Sequence, residues 1–556
     1  MHLQADFLGT SGFPTYQIMS TDPYVRYRWT ETERGRWERD IDEAEQFYTS
    51  VAKNFEASGR MFFAITGHIS LSVPISPGQI VQDQEHRVEE ALRKAWICIR
   101  YDHPTIASWT EFNEKENKCK KIYETVSDAA GGLKNQRAWL KQSFQTLALD
   151  IATLEWCNSD PPAPKLPTLF IITPPSPPTT NPKTIRRDIV LRSPHDILDG
   201  MGTLHLLNNL ITHAHKAYEL QASFQLPVFG SEYTNLSPPF RVAANILPTP
   251  TSAQLSLHNE LLACNTAARS SPSHALLTSP FTPGPLIPGK HQHANLSLSP
   301  SQTTALLNAC KARNVTITHA FHASIALYLR SLSHTTKNPS HPLRYISYAL
   351  VNERPSCVPP FNSPKHPVSV YHSVSANSLI VDMAASNLSS PSPISQSGDN
   401  NDDDDEQYRQ DFTTVLAQVS SFYSSLKTSR STDPNTHLSL IPLQFSASTP
   451  KPTFSPYPSL PPPLPAPNTR PSISISSLGR IDDVIAPVHG DGVFVVGEPW
   501  VTGEELGTGM GVFLGSWEGG LRVGIVWNDA WYQGGEGRGV LEGVVRGVGR
   551  GFRVRF

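Results

Sequence analysis

Segments with helical periodicity alternate with short apolar segments over most of the 556-residue chain. Residues 36–55 carry apolar side chains at helical spacing with charged residues between them, which predicts an amphipathic helix. The same reasoning predicts further helices at 85–101, 133–153, 199–220, 298–314, 315–333 and 408–426. Strands are predicted at 61–73, 168–173, 188–192, 343–354, 472–481, 492–502, 510–518 and 521–532, the last two forming a hairpin. This alternation predicts an α/β protein with large mixed sheets.

Proline-rich segments suggest how the chain divides into domains. The 49 prolines exceed ordinary usage and gather where periodicity is lost. Segment 266–298 is such a region, and it predicts a linker between an N-terminal domain, 1–265, and a C-terminal domain, 299–556. Within the second domain, serines, prolines and acidic residues at 385–406 predict a disordered surface insert. Segment 448–471 predicts a proline-rich loop.

The charge and the cysteines argue against some classes of function. The formal net charge is -3 and the isoelectric point about 6.7, so the chain lacks a basic field that would hold nucleic acid. The six cysteines lie far apart without a C-x-x-C pair, which is typical of free thiols in a reducing compartment. No signal-peptide pattern and no apolar run of about 18 residues occurs. We expect a cytoplasmic protein without nucleic-acid or membrane partners.

The most distinctive short pattern is H-x-x-x-D-G, which His195, Asp199 and Gly200 form directly after the predicted strand 188–192. A helical period begins next, so His195 is predicted to lie in a strand-to-helix turn. Side chains at such junctions are held by a rigid scaffold and can reach a cleft. By residue chemistry alone, Asp199 fits a helix cap, and a histidine in a turn is more often structural than catalytic. The short pattern by itself leaves both interpretations open.

Several other segments accompany this motif. They are "RWTETERGRWERDIDEAEQFY", "FAITGHIS", "VTITHAFHASIALY", "LVNERP", "SSLGRID" and "VWNDAWY". In this combination the chain resembles the superfamily of chloramphenicol acetyltransferase, peptide-synthetase condensation domains and BAHD acyltransferases. Within it, the chain is similar to fungal enzymes of the trichothecene 15-O-acetyltransferase type, apart from its proline-rich and acidic insertions. The resemblance implies two chloramphenicol-acetyltransferase-like α/β domains, each a mixed β-sheet with flanking helices, and an active-site tunnel at their interface.

The resemblance also implies roles for the residues of the motif. His195 would be the general base, because a neutral imidazole can take the proton from a hydroxyl as that oxygen attacks a thioester carbonyl. Asp199 would orient the motif through an ion pair with Arg354, which lies in "LVNERP". Gly200 would let the helix start approach the neighbouring backbone. Residue chemistry leaves Arg354 the alternative of a surface arginine at a strand end.

The C-terminal half supplies further candidates. The resemblance implies an oxyanion donor or tunnel wall there, and the candidate residues are Ser476, Ser477, Asn528 and Trp531. Alternating polar residues on a solvated sheet face would give the same pattern. His319 and His322 lie three apart on a predicted apolar helix and could ligate a metal, but two buried, hydrogen-bonded histidines fit better. We expect no bound metal and no bound cofactor.

Two departures from the superfamily's patterns bear on the acyl donor. Pro194 stands where condensation domains have the first histidine of H-H-x-x-x-D-G, and the D-F-G-W-G segment of plant BAHD enzymes is absent. The sequence thus predicts a monomeric O-acyltransferase, an O-acetyltransferase with acetyl-CoA or another acyl-CoA as co-substrate. Its acceptor would be a small-molecule alcohol, an apolar secondary metabolite of trichothecene or related sesquiterpenoid type. Two alternatives stay open: a condensation-like acyltransferase using a carrier-protein thioester, and a non-catalytic protein of the same fold that binds a hydrophobic ligand.

Overall fold

The computed structural model describes residues 22–113, 118–126, 132–175, 183–333, 341–384, 402–453 and 460–556. The α-helices are α1 Glu43–Phe55, α2 Val81–Asp102, α3 Gly132–Ser143, α4 Thr153–Asn158, α5 Gly200–Leu220, α6 Phe240–Ala243, α7 Ser252–Arg269, α8 Pro300–Ala312, α9 Ile317–Leu332, α10 Asp402–Thr432, α11 Pro434–Ser448 and α12 Glu536–Phe552. Within these ranges, none of the helices combines the length and apolarity needed to cross a membrane.

In the described part of the chain the β-strands form one six-stranded sheet, two four-stranded sheets and two smaller ones, and the two sheets that carry the main hydrophobic cores are called the large sheets below. The strands are β1 Thr30–Glu33, β2 Arg36–Asp40, β3 Ile65–Pro74, β4 Trp109–Asn113, β5 Lys118–Glu124, β6 Phe144–Ala148, β7 Thr168–Thr173, β8 Thr184–Ser193, β9 Ala275–Leu276, β10 His291–Leu298, β11 Leu343–Ser347, β12 Leu350–Asn352, β13 His372–Val374, β14 Leu379–Met383, β15 Ile473–Arg480, β16 Val488–His489, β17 Phe494–Gly503, β18 Met510–Trp517 and β19 Gly520–Asn528. The first large sheet has the order β16-β17-β3-β8-β7-β6, and the second has the order β10-β19-β18-β15.

Both large sheets are mixed. In the first, β6 and β7 are parallel while the other neighbours are antiparallel. In the second, β15 and β18 are parallel, and the predicted hairpin is the antiparallel pair β18 and β19. Helices flank these sheets, so the predicted mixed α/β fold class is confirmed.

The C-terminal half of the chain supplies strands to the first large sheet. β16 and β17 come from the C-terminal half, yet β17 pairs with β3 in the first large sheet. The predicted linker 266–298 contains the end of α7 and all of β10, which is an edge strand of the second large sheet. The domain boundaries at 265 and 299 stay a prediction.

Each large sheet has its own hydrophobic core. On the first sheet, α2 and α5 pack together and bury Trp96 and Leu207. On the second, α9 and α12 do the same with Phe321 and Val544. A smaller third cluster lies around α1 and α11 and contains Tyr48. Burying such side chains stabilises a fold by about 25 cal/mol per Å² of apolar surface, so each core is a rigid support for what lies at its edge.

Two elements differ from those predicted. The helix predicted at 133–153 ends at Ser143, and β6 follows because residues 144–148 pair with β7. The strand predicted at 343–354 breaks after Ser347, and its two parts, β11 and β12, join different sheets. In both places pairing with a distant strand outweighs the local pattern.

The acidic segment also differs from its prediction. Residues 385–401 lie outside the described residues, but 402–406 form the start of α10, so the prediction of disorder is wrong for them. Negative charge at a helix N-terminus is favourable because it faces the positive end of the helix dipole. Arg550 in the last turn of α12 and Arg553 directly after that helix add ion pairs, Arg550 with Asp405 and Arg553 with Glu406. Local charge complementarity therefore orders a segment whose composition predicted a loop.

Candidate active site

The H-x-x-x-D-G motif lies at the predicted strand-to-helix turn. β8 ends at Ser193, α5 begins at Gly200, and Asp199 is the N-cap residue. Asp199 Oδ1 accepts the N–H of Gly202 at 2.7 Å. Such a cap stabilises a helix by about 1 kcal/mol. Because the last residues of β8 are buried in the sheet and the cap begins the helix, the turn that carries His195 is held at both ends.

Asp199 and Arg354 form a buried ion pair. Arg354 Nη1 lies 2.8 Å from Asp199 Oδ2, and the same oxygen accepts the N–H of Tyr371 at 2.8 Å. Arg354 Nη2 donates to Ser369 Oγ at 3.2 Å. Burial alone would raise the pKa of Asp199, but the charge of Arg354 and then His372 hold that pKa well below its usual range. The carboxylate therefore stays ionised and joins α5 to the segment that contains Arg354 and Tyr371.

The His195 ring is half-buried and stacks on Tyr48, with ring centroids 3.7 Å apart and planes 11° apart. Its Nδ1 is buried and has no hydrogen bond of ordinary geometry to any described residue. Burial, followed by the charge of His372, lowers the pKa of His195 to about 3, although backbone groups of His195 and Leu198 partly offset this. The ring is therefore neutral near pH 7, and one of its nitrogens carries a lone pair that can accept a proton.

A second histidine connects Tyr48 to the motif. Tyr48 Oη lies 2.8 Å from His372 Nε2, and His372 Nδ1 lies 3.9 Å from Asp199 Oδ2. Tyr48 Oη and His372 Nε2 share a hydrogen bond whose direction depends on the His372 tautomer. No sequence pattern indicated Tyr48 or His372 as part of the site. Tyr48 belongs to the apolar stripe of α1, which predicted only a core position, and His372 lies in a segment without a pattern.

The close backbone approach expected at Gly200 occurs at Gly202 instead. A Cβ atom at Gly202 would lie 2.2 Å from the carbonyl oxygen of Pro367 and 2.8 Å from Arg354 Nη2. At Gly200, the nearest atom would be Leu478 Cδ2 at 3.4 Å. The second glycine of "DGMG" thus lets the start of α5 lie against the Arg354 segment.

A cavity of about 380 Å³ lies beyond Tyr48. Phe63 is in its wall and meets the Tyr48 ring edge-on, with centroids 6.3 Å apart. Tyr348 is also in the wall. The cavity therefore borders the aromatic stack that contains His195.

The structure separates the predicted residues of the C-terminal half. Trp531 lies in the cavity wall. Ser477 Oγ instead accepts a hydrogen bond from Thr318 Oγ1 on α9, at 3.1 Å. Ser474, which shares a strand face with Ser476, is the serine of β15 that lines the cavity. Strand alternation was a sufficient signal to include Ser474 in the candidates, but nothing in the sequence showed which serine borders a cavity.

Asn528 is a buried brace. Its Oδ1 accepts the N–H of Gly289 at 2.8 Å, while its Nδ2 donates to the carbonyl oxygens of Gly289 at 3.0 Å and Glu505 at 3.2 Å. Because these bonds occupy the amide, Asn528 contacts the cavity only through Glu505, whose carboxyl lies in the wall.

The other candidate histidines are hydrogen-bonded within the core. His322 Nδ1 lies 3.1 Å from Tyr345 Oη, and its Nε2 lies 3.0 Å from Tyr423 Oη. Among the residues that the structure describes, no group of three or more histidine, cysteine, aspartate or glutamate side chains could hold a metal ion.

No protein-family model matches the chain. Two solved structures share its fold over nearly its whole length. Trichothecene 15-O-acetyltransferase TRI3 from Fusarium sporotrichioides aligns over 95% of this chain and 98% of that chain, with a TM-score of 0.71 and 18% identity. The first condensation domain of the calcium-dependent antibiotic synthetase aligns over 92% and 96%, with a TM-score of 0.54 and 12% identity. The chain therefore shares the fold of these two proteins.

Two curated proteins of Monascus ruber are similar in sequence. The acetyltransferase pigO is 24% identical over 345 residues, which are 62% of this chain and 67% of that protein. The O-acetyltransferase pigM is 27% identical over 346 residues, which are 62% of this chain and 59% of that protein. Together with the fold, these relatives support an O-acyltransferase as the class of enzyme.

Proposed function

We propose that this protein is an acyl-CoA-dependent O-acyltransferase that acetylates a hydroxyl of an apolar secondary metabolite of trichothecene or related sesquiterpenoid type. The observation that carries the proposal is the neutral, half-buried His195 ring in a turn that the Asp199–Arg354 pair holds in place. The aromatic walls of the neighbouring cavity suit an apolar acceptor. Similarity to fungal acetyltransferases supports the acetyl group as the one transferred.

In the proposed step, the acceptor oxygen forms a C–O bond with the thioester carbonyl carbon while His195 takes the hydroxyl proton. The resulting tetrahedral oxyanion collapses, the C–S bond breaks, and the imidazolium returns its proton to the leaving thiolate. His195 has regained its neutral form at the end, so one residue acts first as base and then as acid.

The oxyanion of that intermediate needs hydrogen-bond donors. Tyr348 places a hydroxyl group in the wall of the cavity that borders the His195 stack, and it is the donor that we propose, whereas the Ser474 hydroxyl in the same wall donates to the Met510 carbonyl oxygen at 3.3 Å. One such donor is worth about 3 to 4 kcal/mol in an acyl-transfer transition state. Ser476 and Ser477 are the weaker candidates because neither is in the wall of that cavity.

Turnover of purified protein tests the proposal. With acetyl-CoA and a panel of sesquiterpenoid alcohols, we expect release of free thiol and an acetylated product by mass spectrometry. A His195→Ala variant should fold and show the same unfolding transition as the wild type. Its kcat/KM should fall at least about 100-fold, because general base catalysis contributes that much. The matched control is His86→Ala, which removes an exposed histidine of α2 and should leave turnover unchanged.

The same assay separates the alternatives. A folded His195→Ala variant with wild-type thiol release would contradict the role of His195. Faster transfer from an acylated carrier protein than from acetyl-CoA would replace the proposed donor. Binding of an alcohol without turnover from either donor would favour a non-catalytic binding protein.

A further inference from the structure

We infer that the cavity beside Tyr48 receives the acceptor, and that Glu505 in its wall selects an apolar acceptor with a second hydrogen-bond donor besides the hydroxyl that reacts. This inference rests on the proposed function, because it assigns the acceptor side of the same site. It names a class of substrate, an apolar molecule with at least two polar groups, that the acyltransferase reaction alone does not require.

The cavity walls are largely apolar and rigid. The side chains that form them include Phe55, Phe62, Phe63, Leu506, Met510 and Trp531. A volume of about 380 Å³ lies within the range of pockets that bury small organic ligands. Apolar walls of this kind favour any ligand of suitable size and hydrophobicity, and they do not discriminate among polar substituents. Discrimination therefore depends on the few polar groups in the wall.

Glu505 is the carboxyl group among those polar wall residues, and it is only 9% exposed. Its Oε1 accepts the N–H of Gly507 at 2.7 Å. Its Oε2 has no hydrogen bond of ordinary geometry and no ion-pair partner among the described residues. Because this oxygen is free to accept, a ligand in the cavity that donates to it forms a hydrogen bond to a charged group, which is stronger than one between neutral groups.

The position of Glu505 is held by its own backbone. Its N–H donates to His291 Nδ1 at 3.0 Å, and its carbonyl oxygen accepts Asn528 Nδ2 at 3.2 Å. The backbone is thus fixed on both sides, and the N–H of Gly507 holds the carboxyl itself through Oε1. This preorganisation is the reason that a ligand without a donor is disfavoured.

The charge of the carboxyl depends on pH. Burial raises the pKa of Glu505 to about 7, although the N–H groups of Gly507 and Leu506 partly offset this. At pH 8 the group is therefore mostly ionised and accepts hydrogen bonds from a hydroxyl or an ammonium group. A hydroxyl donor is neutral and an ammonium donor is charged. A Glu505→Gln variant, which has no charge at this position, can therefore distinguish them.

Calorimetric titration at pH 8 with three rigid probes tests the inference without turnover. The probes are 1-adamantanol, adamantane-1,3-diol and 3-amino-1-adamantanol. We expect the wild type to bind the diol and the amino alcohol at least about tenfold more tightly than the monoalcohol, since each adds a hydrogen bond to a charged acceptor. Glu505→Leu should lose both preferences. Glu505→Gln keeps an acceptor for Gly507 and should lose chiefly the preference for the amino alcohol.

The matched control is Glu260→Gln, an exposed glutamate of α7, which should bind all three probes like the wild type. Equal affinity of the wild type for the three probes, or binding of none, would overturn the inference. Wild-type affinity of Glu505→Gln for the amino alcohol would overturn it as well, even where Glu505→Leu fails to fold. If the wild type prefers the diol and the amino alcohol but acetylates no alcohol, the proposed function fails and the selectivity of the cavity stands. If it acetylates an alcohol but binds the three probes equally, the selectivity fails and the proposed function stands.

Discussion

His195 owes its orientation to residues from distant parts of the chain. Tyr48 on α1 covers its ring face, and His372 on β13 holds the Tyr48 hydroxyl. Asp199, in turn, lies 3.9 Å from His372 and is ionised because Arg354 is beside it. Tyr48 and His372 are therefore positioning residues, since they act on the proposed base and have no role of their own in proton transfer.

Substitution of Tyr48 tests this arrangement. Tyr48→Phe keeps the stack but removes the hydroxyl, and we expect kcat to fall by about 2- to 10-fold with little change in KM, as for loss of one hydrogen bond. Tyr48→Leu removes the stacked ring and admits water. Because burial lowers the pKa of His195, that pKa should rise toward 6.5, and the acid limb of the kcat/KM profile should move to higher pH.

A structural role alone would reduce activity without moving the pH profile. Tyr101→Phe serves as the control, because Tyr101 is on α2 and its hydroxyl meets only Ser231. An unchanged acid limb in folded Tyr48→Leu would show that Tyr48 does not tune His195.

At the scale of elements, two features that hold the H-x-x-x-D-G motif lie at the start of α5. Asp199 caps the helix, and Gly202 lies against the Pro367 carbonyl. The helix can therefore reach the Arg354 segment only if its first turn lacks a side chain on that face. The Asp199–Arg354 ion pair therefore depends on the glycine at position 202.

Substitution of Gly202 and of Gly200 by alanine should have different effects on stability. Gly202→Ala places a methyl group 2.2 Å from a backbone oxygen, which cannot move as a flexible side chain can. We expect a loss of about 1 to 3 kcal/mol in the free energy of unfolding, measured with urea, and a fall in activity. Gly200→Ala meets two side-chain methyl groups, Leu478 Cδ2 at 3.4 Å and Val501 Cγ1 at 3.8 Å, and is the matched control, with a much smaller effect. Equal losses for the two variants would contradict the close approach.

At the scale of the whole molecule, buried histidines make stability depend on pH. Burial lowers the pKa to about 3 or 4 for His103, His195, His205, His291 and His322. An unfolded chain protonates these residues below about pH 6.5, whereas the folded protein keeps them neutral. Their contribution to stability is present above pH 6.5 and is lost as the pH falls toward 4 and 3. Asp42 and Glu505 act in the opposite sense, because burial raises the pKa of each to about 7.

The histidines outnumber those two carboxyls, so the free energy of unfolding should rise between about pH 5 and pH 6. Urea denaturation at these values measures it. His322→Gln should lower the slope by up to about 1.4 kcal/mol per pH unit, while His86→Gln, an exposed control, should leave it unchanged. A flat or falling stability over this range would show that the buried carboxyls dominate.

Local chemistry in the sequence was enough to predict several elements and one junction. Helix α8 has Ser299 as N-cap and Pro300 at its first position, as the residue preferences indicate. The turn with His195 followed from an apolar strand and a helical period beside it. These features depend on interactions between residues that are close in the sequence, so they can be predicted from it.

Tertiary structure decided what meets across the chain. Residues 144–148 became a strand because β7 was there to pair with them, and 402–406 became a helix start with Arg550 beside it. The sequence by itself determined the α/β class and where His195 and Asp199 lie relative to a strand and a helix. Only the tertiary structure decided that Tyr48 and His372 belong near them, because contacts between distant residues depend on how the sheets and helices pack.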